Sequence, residues 1–184
     1  MRVIAGTAKG QRLKAPTTGT RPMMDKMRES IFSALGPLED LLVLDLYAGS
    51  GSLGLEALSR GARRAVFIEN AREAIVKLEQ NIESTGLGDR AEVVWADVKV
   101  KIQSTPEERV DIVFLDPPYN MSFAQVRADL EALVMGGFLS DEGRIVVHRP
   151  GKENALEPLG LKALWERDYG QSRIVVYTHE DDEA

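Results

Sequence analysis

The chain has 184 residues, 43% of them hydrophobic, and a formal net charge of −6, which suits one globular domain with a sizeable core. It holds no cysteine and two histidines, His148 and His179, which excludes disulfides and thiolate metal sites, so no metal is expected. The longest apolar stretch, Leu41 to Ala48, is interrupted by Asp45 and falls far short of the ~18 residues a membrane span needs.

No signal-peptide pattern opens the chain, so a cytoplasmic monomer without membrane contact is the expectation. The charge is unevenly placed. Residues 1–28 carry seven basic side chains against one acid, +6, and the remainder carries 16 basic and 28 acidic residues, −12. A basic N-terminal segment on an acidic body is expected where one surface meets a polyanion.

In chain order, "MRVIAGTAKGQRLKAP" reads as a hairpin around a Gly- and Lys-containing turn. Pro16 and Pro22 predict a loop to about Met23, and Met27, Ile31, Phe32 and Leu35 then recur at helical spacing until Gly36 and Pro37. From residue 41 strands and helices alternate. "LLVLDLY", "RAVFIE", "AEVVWAD", "VDIVFLD" and "GRIVVHR" are the strands; "SLGLEALSRGA", "AREAIVKLEQNIESTGLG" and "FAQVRADLEALVMGG" are the helices. "LKALWER" and "SRIVVYT" pair as a terminal hairpin, and "HEDDEA" is a solvated tail. The pattern predicts a single α/β domain over 1–184 with a doubly wound, mostly parallel sheet. Its parts are an N-terminal hairpin, loop and helix (1–36), a core (37–178) and an acidic tail (179–184).

Ligands of such sheets sit beyond the carboxyl ends of the strands. Four acids fall there: Asp45, Glu69, Asp97 and Asp116 follow or end four successive strands. Between the first strand and its helix, Gly49-Ser50-Gly51-Ser52-Leu53-Gly54 satisfies G-x-G-x-x-G. Its glycines permit a tight turn and close ligand approach to backbone. A dinucleotide or S-adenosylmethionine would fit, and Glu69 could accept ribose hydroxyls from either. Asp45 helps to separate them, because a carboxylate before the loop repels a pyrophosphate yet can hold an ammonium. Buried without such a partner it is costly.

"VFLDPPYN", residues 113–120, sets a carboxylate, a stiff backbone and a ring side by side. An exocyclic nucleobase amine is a poor nucleophile because its lone pair is delocalised into the ring. The Asp116 carboxylate and the Pro117 carbonyl could bind its two hydrogens and favour a pyramidal nitrogen, each good contact contributing on the order of 3 kcal/mol. Pro117 and Pro118 fix φ. Tyr119 offers a stacking face for an extruded base, worth roughly 1 to 3 kcal/mol.

Together "DLYAGSGSLGLEALSRGA", "FLDPPY", "RVIAGTAKGQRLKAP...TRPMMDKMRESIFSAL" and the terminal "YGQSRIVVY" resemble the RsmD family of small-subunit ribosomal RNA guanine-N2 methyltransferases over nearly the whole chain. The resemblance implies a Rossmann-like class I methyltransferase with seven strands, S-adenosylmethionine as cofactor and ribosomal RNA or the assembling small subunit as partner. It implies that Asp45, Ala48, Gly49 and Gly51 line the methionine end of the cofactor, Glu69 the ribose and Asp97 the adenine amine, and that Asp116 to Tyr119 hold the target base. Arg2, Lys9, Arg12, Lys14 and Arg28 are assigned to phosphate contacts, and Arg21 to RNA or the cofactor's carboxylate. The chain departs from the family pattern at Met23, where threonine is frequent, and at His148, where relatives commonly place an acid. His148 reads as an ordinary surface or core histidine. The expected reaction is direct transfer to the N2 amine of one guanine in 16S ribosomal RNA; the competing readings are an N6-adenine methyltransferase, a nicotinamide-dependent oxidoreductase and a non-catalytic RNA-binding module.

Overall fold

The computed structural model describes residues 1–17 and 23–181. Strands β1 (Leu42–Leu46), β2 (Arg64–Glu69), β3 (Ala91–Trp95), β4 (Val110–Leu115), β5 (Leu139–Pro150), β6 (Leu161–Tyr169) and β7 (Ser172–His179) form one sheet in the order β3-β2-β1-β4-β5-β7-β6. The first five are parallel, and β7 runs antiparallel between β5 and β6. Helices α1 (Asp25–Leu35), α2 (Ser52–Ser59), α3 (Arg72–Thr85), α4 (Val98–Ile102) and α5 (Phe123–Met135) complete the described fold with a 3₁₀ turn at Gly88–Arg90.

The side-chain alternation of a strand divides the core into two layers. Leu42, Leu44 and Leu46 face α4 and α5, with Ile68, Val113 and Leu115 beside them. Val43, Ala65, Phe67, Ile112 and Phe114 face the opposite layer, built from α1, α2 and α3. Asp45 shares the second face and lies in register between Phe67 of β2 and Phe114 of β4.

The expected doubly wound sheet and terminal hairpin are present. Four details differ. β5 begins at Leu139 rather than Gly143, the short helix α4 has no counterpart among the expected elements, and Asp97 is its N-cap rather than part of β3. The N-terminal hairpin is reduced to one antiparallel bridge, Arg2 with Arg12. Across it Val3 N–H donates to the Gln11 carbonyl at 2.9 Å and Leu13 N–H to the Met1 carbonyl at 2.9 Å, with Gly10 N–H on the Val3 carbonyl at 2.8 Å; other backbone donors of the segment reach α2. Ile4 and Ala5 N–H donate to the Glu56 carboxylate at 2.8 and 3.0 Å, Ala8 N–H to Ser59 Oγ at 2.9 Å and Thr7 N–H to the Ser59 carbonyl at 2.8 Å. Gly6 lets the chain approach so closely that a Cβ there would lie 1.8 Å from the Ser59 oxygen.

Candidate active site

The strand order reverses between β1 and β4, the position at which an α/β sheet opens a crevice. At its floor Asp45, 2% accessible, accepts the Gly54 N–H through Oδ2 at 3.0 Å. Burial pushes its carboxyl well above the ordinary range, and the negative charges of Asp116 and Glu69 push it further. By register, three acids lie at or just past the carboxyl ends of the adjacent strands β1, β2 and β4.

The glycines of the loop have separate tasks. Gly51, in the left-handed region at φ +78°, donates its N–H to the Ala48 carbonyl at 2.8 Å, and a Cβ on it would meet Leu78 at 2.3 Å. On Gly54 a Cβ would meet Phe67 at 2.3 Å. Both are glycine so that α2 can pack on the strands and α3. Gly49, at φ +56°, has open space where its Cβ would point, with only the Tyr47 carbonyl at 4.0 Å. Glu69 clamps this loop: Oε2 accepts the Gly49 N–H at 2.8 Å, and Oε1 the Asn70 and Ala71 N–H groups at 2.9 Å. Ala48 donates its N–H to the Ile68 carbonyl at 3.1 Å. Asp97 lies exposed at the outer end, capping α4 through the Lys99 N–H at 2.8 Å. Arg21 lies outside the described residues.

Across the crevice, Asp116 follows β4 and its Oδ1 lies 2.8 Å from His148 Nδ1. Pro117 is buried beneath the turn, Pro118 is half-buried, and Tyr119 is 47% exposed. The Tyr119 hydroxyl lies 3.2 Å from His148 Nε2 and 2.9 Å from Ser172 Oγ. Beside Tyr119 and His148 opens a cleft of about 450 Å³, walled by Met23, Met24 and Met27 before and within α1 and by Tyr169 to Ser172 at the terminal hairpin. Arg149, buried on β5, donates to the Met121 carbonyl at 2.7 Å and pairs with Glu153, holding the chain just after the turn.

Arg2, Lys9, Arg12 and Lys14 are exposed on the N-terminal segment. Arg28 is a correction: it is fully buried, donating to the Arg2 carbonyl and Asp25 and lying 3.6 Å from the buried Glu56 carboxylate. It anchors the basic segment from below and is shielded from any phosphate. Its helical position, one residue after Met27 on the core face, was the available sign.

The family model described as Conserved hypothetical protein 95 matches residues 1–178. This chain belongs to that family, the RsmD methyltransferases. Ribosomal RNA small subunit methyltransferase D of Escherichia coli is 38% identical over 151 residues, covering 80% of this chain and 73% of that protein. Its Haemophilus influenzae counterpart is 31% identical over 174 residues, covering 92% and 89%. A solved hypothetical protein of Thermus thermophilus superposes with a TM-score of 0.80 at 34% identity over 96% of this chain and 98% of that one. The mitomycin 7-O-methyltransferase MmcR, at 16% identity and a TM-score of 0.60, shares the fold over 77% of this chain.

Within this RsmD-family chain, the sequence left His148 and Glu56 without a role. His148 could have been found by register, because Leu115 pairs with Val147 and the next residues of both strands are Asp116 and His148. Glu56 is covered by a segment 51 or more residues away, and no local pattern reveals that.

Proposed function

We propose that the chain transfers a methyl group from S-adenosylmethionine to the N2 amine of a guanine in 16S ribosomal RNA. The observation that carries the reading is the placement of Asp45, Glu69 and Asp116 at the carboxyl ends of the adjacent strands β1, β2 and β4, with Asp116 linked through His148 to Tyr119, which lines the cleft of about 450 Å³. The activity named for the relatives in Escherichia coli and Haemophilus influenzae supports ribosomal RNA as the substrate class.

The residues present fit the cofactor. Asp45 is a buried carboxylate whose charge nothing basic in the described crevice offsets, so a cationic methionine tail supplies what it lacks. Gly49 leaves open space at the loop, and Glu69 and Asp97 follow in order along the ends of β2 and β3 for the ribose and the adenine amine. When bound, S-adenosylmethionine supplies a methyl group activated by its sulfonium. The dinucleotide alternative has the wrong charge for Asp45.

Asp116 and the Pro117 carbonyl accept the two hydrogens of the target amine and turn its lone pair toward the crevice. Tyr119 stacks on the extruded base, and the methionine-lined wall of the cleft receives its far edge. The proton released after transfer passes to Asp116 or to water. Exposed Arg2, Lys9, Arg12 and Lys14 attract the RNA backbone.

The test is transfer of labelled methyl groups to small-subunit RNA, free and assembled, followed by mapping of the modified nucleotide. Label at one guanine N2 is expected. Label at adenine N6, or none with either substrate, overturns the reading.

A further inference from the structure

The buried imidazole of His148 joins the two working groups of the turn. The residue is 6% exposed on β5, with Nδ1 2.8 Å from Asp116 Oδ1 and Nε2 3.2 Å from the Tyr119 hydroxyl. The Tyr119 ring meets it edge-on, at 5.6 Å between centroids and 66° between planes. One assignment of hydrogens satisfies the whole row. An ionised Asp116 only accepts, so Nδ1 carries the proton. In the neutral ring Nε2 then holds a lone pair and accepts from Tyr119, whose oxygen accepts from Ser172 2.9 Å away. Every member of the row Ser172, Tyr119, His148 and Asp116 is satisfied in one direction. Burial alone requires both ring nitrogens to be bonded; what sets His148 apart is that the two partners, Asp116 and Tyr119, both belong to the Asp-Pro-Pro-Tyr turn.

We propose that His148 is a positioning residue for methyl transfer. One imidazole occupies Oδ1 of Asp116, leaving Oδ2 for the target amine, and the same ring fixes the Tyr119 face against which the base stacks. The carboxylate and the stacking plane are thereby held at a set distance and angle. This inference rests on the proposed transfer to a nucleobase amine and adds to it a residue that the sequence left as an ordinary histidine.

Four proteins are compared for kcat, KM for small-subunit RNA and cofactor affinity: wild type, His148→Phe, His148→Asn and His148→Gln. Phenylalanine fills the volume but removes both bonds. Asparagine places an N–H near Nδ1 and keeps the donor to Asp116, whereas glutamine reaches toward Tyr119 and abandons Asp116. The expected result is a kcat about 10²-fold lower for His148→Phe, the scale of a misplaced reacting group, with unchanged cofactor affinity. Recovery of most of kcat is expected in His148→Asn and not in His148→Gln. Wild-type kcat in His148→Phe, or equal loss in all three variants, overturns the proposal. A wild type that methylates no RNA overturns the functional reading instead, and a second measurement then decides the role of His148. Ring ¹⁵N–¹H spectra need separate only two histidines, and His179→Gln assigns them. A sheltered Nδ1–H signal from His148 that disappears in folded Asp116→Ala supports the proposal; its absence from the wild type overturns it.

Discussion

Asp45 Oδ2 and the Gly54 N–H are 3.0 Å apart, and this hydrogen bond is set against a burial that holds the carboxyl well above its usual pKa. A carboxyl raised on folding favours the folded state only while protonated. Its stabilising contribution is therefore full below the ordinary value near 4 and is lost as pH rises through the higher folded value. Asp45→Asn keeps an acceptor for Gly54 without the charge. At neutral pH the variant is expected to melt higher, by about 2–4 °C for each 1 kcal/mol gained, and to bind S-adenosylmethionine at least about tenfold more weakly, or about 1.4 kcal/mol. Thermal scans and calorimetric titration check both halves; an unchanged affinity removes Asp45 from the cofactor site.

The same linkage predicts a pH dependence of binding. A cation beside Asp45 favours its ionised form, so below the raised pKa of the free protein each binding event must first release a proton. Log affinity should fall with decreasing pH, approaching one unit per pH unit, while affinity above the raised value stays flat. Titrations in buffers of different ionisation enthalpy measure the released proton directly. Wild type and Asp45→Asn should differ, the variant showing no release.

Two glycines of one loop separate packing from binding. Gly54→Ala forces a Cβ to 2.3 Å from Phe67, an overpacking expected to cost about 1–3 kcal/mol of stability. Gly49→Ala meets open space at φ +56°, so it should cost about 1–2 kcal/mol for the left-handed backbone and, in addition, intrude on the cofactor. Denaturant unfolding with and without S-adenosylmethionine distinguishes them. Ligand should rescue Gly54→Ala and do little for Gly49→Ala.

Glu56→Ala is expected to cost about 3–5 kcal/mol, because it removes the fully buried carboxylate beside Arg28, leaving that arginine, among the described residues, only Asp25 and the Arg2 carbonyl, and deprives the Ile4 and Ala5 N–H groups of their acceptor. Chemical denaturation of the variant measures the loss. An effect below about 1 kcal/mol, the scale of an exposed pair, would mean that solvent reaches the cluster.

Most of the sheet was legible because β1 to β5 are short apolar runs separated by helical periodicity and glycine stops, signals that stay within one element. The placement of Asp45, Glu69 and Asp116 was legible for the same reason: each sits at a strand end, and the parallel connection rule brings strand ends together. What stayed hidden depends on pairs distant in sequence. The N-terminal hairpin keeps its own cross-strand hydrogen bonds, yet the N–H groups of Ile4, Ala5 and Ala8 are claimed by Glu56 and Ser59. Arg28 looked like one more basic residue in a basic run, although its spacing from Ile31, Phe32 and Leu35 sets it on the inward face of α1. His148 carried no local pattern at all, since its meaning comes from the alignment of β5 with β4. Gly51 and Gly54 matched a ligand-binding motif, while their missing side chains make room for Leu78 and Phe67.

The buried anchoring of the N-terminal segment also decides how its role in RNA binding must be tested. Val3, Ala8 and Leu13 belong to the core, so removal of residues 1–15 would open the protein rather than erase a surface. Point changes are cleaner. Lys9→Gln with Arg12→Gln alters two exposed side chains, and the slope of log affinity against log salt should shrink by about 0.7 for each lost phosphate contact on single-stranded RNA. Arg28→Gln should leave that slope alone and lower stability, since its guanidinium serves Asp25, Glu56 and the Arg2 carbonyl. A slope unchanged in the double variant but reduced in Arg28→Gln would reverse the assignment, placing the phosphate contact at the buried arginine and leaving the exposed pair as ordinary solvated charge.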